Sequence, residues 1–133
     1  MEALLGVWKY NASTLGGDND PMLRQTVIPG VTEEDYQKGG EVEMKKDGNK
    51  MILAIRAAGK PEVVQNMVVG EKQVLDGPGG QKIESEITVK EDHYLQVSTI
   101  AGVTINTKAS IKDGKMFSEI SSGGKTVTAT FFR

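Results

Sequence analysis

The sequence predicts an all-β fold: about ten antiparallel strands in an up-and-down meander that closes into a barrel, with a short helix-turn-helix lid after the first strand. Three observations carry this. Short runs of β-type residues recur at roughly the 8–12-residue spacing of sandwiches and barrels. Turn pairs, many of them containing glycine, separate the runs. Apolar and polar residues alternate within the later runs, the period of a strand with one buried face. A chain of 133 residues can bury one core but not two. A single domain over residues 1–133 is therefore expected.

The runs fall at 6–12, 40–46, 50–57, 62–69, 72–76, 82–90, 94–100, 103–111, 115–121 and 126–132. Between them stand Asp47-Gly48, Gly70-Glu71, Asp76-Gly77, Glu91-Asp92, Ala101-Gly102, Asp113-Gly114 and Gly123-Gly124. Asp-Gly and Gly-Gly adopt the positive φ angles that tight hairpins need. So many strands exceed what an open sheet carries without curling, and closure removes the exposed edges. Residues 14–38 break the pattern. Asp20-Pro21 reads as an N-cap and first helical residue, followed by Met22, Leu23 and Val27 on one face and a stop at Pro29-Gly30. Thr32 caps a second short helix whose first turn is acidic.

Alternation assigns the interior. On the 103–111 run Val103, Ile105, Thr107, Ala109 and Ile111 share a face; Met116, Ser118 and Ile120 do so on the next run, and Val127, Ala129 and Phe131 on the last. Aromatic residues are only 5 % of the chain, and Ala, Ser, Thr and Gly recur at inward positions. Such small side chains leave room for a ligand, as in barrels that hold one. A narrower or flattened barrel that packs shut is the alternative.

The order of elements and several motifs resemble the intracellular lipid-binding proteins, the family of fatty-acid-binding and cellular retinoid-binding proteins. Leu5-Gly6-Val7-Trp8-Lys9 is similar to the family's Gly-x-Trp. Lys46-Asp47-Gly48-Asn49-Lys50, Val69-Gly70-Glu71, Lys82-Ile83-Glu84-Ser85 and Ile111-Lys112-Asp113-Gly114-Lys115-Met116 follow in the family's order. The resemblance spans nearly the whole chain. It implies non-enzymatic binding and transport of a small hydrophobic ligand (a fatty acid, a retinoid or another lipid) inside a cytoplasmic, monomeric barrel. In this picture Trp8 plugs the closed end, with its indole N–H on a backbone partner. Met22 and Leu23 lie where the family's helix lines the entry portal; anchoring that helix is their other reading.

Many family members clamp a carboxylate with two Arg and a Tyr, and the matching positions here are Ala109, Ala129 and Phe131. Without that charge-assisted bond, the resemblance implies a neutral ligand or one whose head group stays at the mouth. Arg56 shares a face with Ile52 and Ala54. Facing inward it would replace the clamp; facing outward it is a surface or rim residue, the reading favoured because Arg is rarely buried unpaired. Gln96, Ser98, Thr107 and Ser118 are inward polar candidates for a hydroxyl, a carbonyl or an ordered water. Gly16-Gly17 and Pro29-Gly30 stand where the family has more continuous helices, which implies a shorter, looser lid.

Other chemistry is poorly supplied. Lys plus Arg number 16 against 18 Asp plus Glu, a net charge of −2, so no nucleic-acid partner is expected. Cysteine is absent, which removes disulfides and thiolate chemistry. His93 is the only histidine; it sits in the Glu91-Asp92-His93 turn, and a haem-type or chromophore-binding barrel is the distant alternative. Gly77-Pro78-Gly79-Gly80 lacks the Lys-Ser/Thr ending of a phosphate loop, and Glu84 with Glu86 reads as a solvated outer face. Neither a secretion signal nor a spanning segment is legible. Asn11-Ala12-Ser13 matches a glycosylation sequon that matters only in a secreted protein. No enzyme activity, metal or cofactor is expected. Lys9, Arg24, Lys38 and Lys60 are the cations available for transient membrane contact.

Overall fold

The computed structural model describes residues 2–10, 15–18, 20, 23, 40–57, 59, 61–76 and 82–133. A 3-10 turn at Glu2–Leu4 precedes β1 (Gly6–Tyr10), β2 (Gly16–Gly17), β3 (Gly40–Asp47), β4 (Lys50–Ala57), β5 (Val63–Val68) and β6 (Lys72–Asp76). The chain continues through β7 (Lys82–Val89), β8 (His93–Ile100), β9 (Val103–Lys112), β10 (Lys115–Ser122) and β11 (Lys125–Phe132). Each of the ten expected runs is a strand, and β2 is an additional short one. Of the two expected helices only Asp20 and Leu23 are among the residues just named, so that part of the expectation lies outside them. Asp20 Oδ1 accepts a hydrogen bond from the Leu23 backbone N–H at 3.4 Å, the contact of an N-cap with the third helical residue.

All pairings are antiparallel, in the order β5-β4-β3-β1-β11-β10-β9-β8-β7-β6. The nearly closed barrel is sealed by β1, which pairs β11 on one side and β3 on the other. Its seam lies between β5 and β6, two strands consecutive in sequence. There the Gln73 side chain takes the place of a neighbouring backbone: the Val68 N–H donates to Gln73 Oε1 at 2.9 Å, and Gln73 Nε2 donates to the Val68 carbonyl at 3.1 Å. Gly70, just beyond β5, donates instead to the Ile87 carbonyl on β7 at 2.8 Å. The main chain has already passed the point where a β5–β6 ladder would form.

The hairpins obey local chemistry. Ala101 and Gly102 lie at φ 50° and 80°, Asp113 and Gly114 at 54° and 73°. Two consecutive positive angles are the mark of the tight turn whose twist matches that of its strands. Gly16-Gly17 is not slack chain: the pair is laid along β11, opposite Thr128 and Val127. At φ 87° Gly17 has no side chain to meet the Thr126 carbonyl that lies against it.

Buried apolar residues form one core cluster. Leu4, Trp8, Met44, Met51, Leu53 and Met67 are each at most 2 % exposed. The Trp8 indole N–H donates to the Leu4 carbonyl at 2.8 Å, closing the 3-10 turn under the ring. Arg133 stacks its guanidinium 4.1 Å from the Trp8 ring and donates to the Leu5 and Ala3 carbonyls at 3.0 and 2.8 Å. The last residue of the chain thus secures the first turn, through a cation–π contact and two hydrogen bonds. Among the described residues no helix is long and apolar enough to cross a membrane.

Candidate functional site: the barrel lumen

Strand alternation decides what lines the lumen, because every second residue points to it. On β9, β10 and β11 the inward set is the expected one, with Ile105, Ala109, Met116, Ser118, Ile120, Val127, Ala129 and Phe131 buried. Thr107 and Ile111 are half-buried. Val103, at the hairpin, is 36 % exposed and leaves the group. On β8 Tyr94 and Gln96 are buried, and Ser98 is half-buried on the same face.

On β4 the facing is the reverse of the one that would have put Arg56 inside. Met51, Leu53 and Ile55 are buried, so Ile52, Ala54 and Arg56 belong to the opposite, outer face. Ala54 is nevertheless well covered, at 5 % exposed. Arg56 donates to Glu43 Oε1 at 2.6 Å and Glu62 Oε2 at 2.8 Å, and stands 3.9 Å from Glu41. Its hydrogen bond to Glu43 holds that carboxyl below the usual carboxylate range. Arg56 is thus a surface ion-pair residue and does not replace the missing clamp. Both faces of β4 are apolar enough to be buried, so its alternation alone was ambiguous. Coverage by neighbouring strands decided it.

Ala109, Ala129 and Phe131, the positions that the resemblance matches to a clamp, are all within 2 % of full burial. Register sets Ser118 opposite both Ala109 and Ala129, and Tyr94 opposite Ala109. A patch of small side chains therefore faces the lumen. Beside it the Phe131 ring packs at 5.6 Å and 54° against Tyr10. The Tyr94 phenol is pushed up to about 12 by burial, which disfavours its charged form. It is a neutral O–H throughout the physiological range.

Polar groups gather on the wall formed by β7 and β8. Gln96 Nε2 donates to Ser85 Oγ at 2.7 Å and approaches Met67 Sδ at 3.8 Å; Ser85 Oγ lies 3.2 Å from Ser98 Oγ. The expected Gln96 and Ser98 are brought together through Ser85, and Ser85 and, on β5, Gln65 are buried polar residues not singled out from the sequence. Ser85 was legible as the partner in register with Ser98, and Gln65 by its two-residue spacing from Met67. The buried polar residues among those described are Gln65, Ser85, Gln96 and Ser118, none of them charged. Leu23 is fully buried and belongs to the core cluster. Met22, Arg24, Lys38 and Lys60 fall outside the described residues, and Lys9 is exposed.

Two other features lie outside this lumen. His93 is half-buried at the start of β8, on the face opposite to Tyr94, with Nδ1 2.9 Å from Asp92 Oδ1. It is not directed toward a group held inside. A concavity of about 320 Å³ is bordered mainly by outward residues, among them Lys108, Phe117, Glu119 and Thr128, together with Ser118 and Ala129 of the inward set. Lys108, Phe117, Glu119 and Thr128 alternate with the inward residues, so the hollow opens mainly on the outer wall.

Neither a protein-family model nor a curated protein sequence matches the chain. Solved structures do. Fatty-acid-binding protein 1 of Echinococcus granulosus superposes with a TM-score of 0.79 at 15 % identity, over 100 % of this chain and 98 % of that one. The Schistosoma mansoni fatty-acid-binding protein in complex with arachidonic acid gives 0.78 at 17 %, over 100 % and 97 %. The wild-type fluorescent protein UnaG gives 0.76 at 18 %, over 99 % and 98 %. With strand order, closure and full-length superposition in agreement, the chain has the fold of the fatty-acid-binding proteins.

Proposed function

We propose that residues 1–133 act as one barrel domain, a divergent member of the intracellular lipid-binding proteins that binds and carries one small hydrophobic ligand without transforming it. The observation behind this is the lumen wall: Ala109, Ala129 and Ser118 put small side chains where bulk would close the barrel, within an apolar surround. Burial of apolar ligand surface there would contribute about 25 cal/mol per Å². No buried cation among the described residues meets a carboxylate, so the head group is neutral or remains at the mouth. Among the described residues the wall offers neutral hydrogen-bonding groups, which fits a carrier. We place it in the cytoplasm as a monomer.

Native mass spectrometry of protein from its natural source, followed by uptake of an apolar fluorophore by the delipidated chain, tests this reading. One bound lipid-sized mass and one fluorophore per chain are expected. A chain that carries nothing and takes up no fatty acid, retinoid, sterol or fluorophore overturns it. The fold shared with a fluorescent protein makes a chromophore carrier the second reading; visible absorbance of the natural protein would favour it.

A further inference from the structure

We infer that Gln65 is the head-group residue of the lumen and that it selects a ligand with a neutral hydrogen-bond donor, a hydroxyl foremost, over a carboxylate. The inference rests on the lipid-binding reading above and adds the chemical class of the ligand. Gln65 stands on β5 opposite Leu53 and two residues from Met67, both only 1 % exposed, and so shares their inward face. It is itself 7 % exposed, and its Oε1 is fully buried with no donor among the described residues within hydrogen-bonding reach. A buried amide oxygen without a donor forfeits the hydrogen bonds it had in water, a penalty that natural interiors rarely leave uncompensated.

The surroundings narrow what would relieve it. Met67, about 7 Å along the strand from Gln65, meets Gln96 Nε2, and Gln96 is already committed to Ser85. The Ser85–Ser98 pair is likewise satisfied internally. That group is closed on itself, and Gln65 Oε1, on β5, is a separate buried acceptor without a donor among the described residues. A hydroxyl or an amide N–H from a ligand would fill it. A carboxylate at neutral pH has no donor to give Oε1, and it would bring a charge into a wall with no buried cation among the described residues to offset it.

The test is competition against an apolar fluorophore on delipidated protein, near neutral pH, with dodecan-1-ol, its methyl ether and dodecanoate. The wild-type chain should bind the alcohol about tenfold more tightly than the ether or the acid. In Gln65→Leu the alcohol and the ether should come within about twofold of each other. Gln65→Met is the second variant should leucine's branching disturb packing. If the wild type prefers dodecanoate, or both variants keep the alcohol preference, the donor selection is overturned while lipid binding stands. Failure of the wild type to bind fluorophore or any of the three chains overturns both.

Discussion

Tyr94 shows how one side chain records its surroundings. Its phenol is 5 % exposed and pushed up to about 12 against an ordinary 10.0. An acid whose folded pKa is raised contributes stability that is fully present below the unfolded pKa and lost as pH rises through the folded one. Wild-type protein should therefore lose thermal stability between about pH 10 and 12, and Tyr94→Phe should lose markedly less across the same range. Parallel melting curves with identical alkaline slopes would contradict the assignment. The same scale shows what a single residue's sequence context conceals. Arg56 stands in Ile52-Leu53-Ala54-Ile55-Arg56, where neither face is polar until the arginine itself. The burial of Met51, Leu53 and Ile55 identifies its side as the outer one, and the carboxylates of Glu41, Glu43 and Glu62, brought together by pairing with β3 and by the chain entering β5, agree.

At the scale of elements, the β5–β6 seam is held by a side chain in place of a ladder. Gln73 both accepts from and donates to Val68, as a peptide group on an adjacent strand would. Gln73→Leu leaves the Val68 N–H and C=O without these partners, at a cost of about 0.5–1.5 kcal/mol. Amide exchange should accelerate at Val68 and spread along β5, while β9 to β11 keep their protection. Uniform acceleration across the barrel would mean that the seam is not a separately opening unit. Strand positions and hairpins were largely legible, because Asp113-Gly114 and Ala101-Gly102 encode their own turn geometry within two residues. The seam was not legible, since nothing local distinguishes Gln73 from any other polar strand residue.

At the scale of the whole barrel, ligand binding and folding are linked. A molecule that occupies the lumen binds the folded chain and not the unfolded one, and at a hundredfold excess over Kd it adds about 2.7 kcal/mol. For a chain of 133 residues that corresponds to a rise in Tm of roughly 10 °C. Calorimetry on delipidated and reloaded protein checks it, with the alcohol expected to raise Tm further than the acid of equal length. An unchanged Tm at saturating alcohol would argue for a barrel that packs shut.

Periodicity, turn pairs and composition were enough to specify the strands, their antiparallel succession and the small inward residues Ala109, Ser118 and Ala129, because each is written within a few neighbouring positions. Facing on β4, the burial of Gln65 on the inward face of β5, and the anchoring of Trp8 by Arg133 came only from tertiary structure. These depend on registers between strands far apart in the chain. The physical reason is that a hydrogen bond or an ion pair needs a partner in space, and sequence spacing reports such a partner only within a turn or across a short hairpin. The lumen's apolar character could accordingly be read along the strands, while its open polar acceptor became visible once they were closed around it.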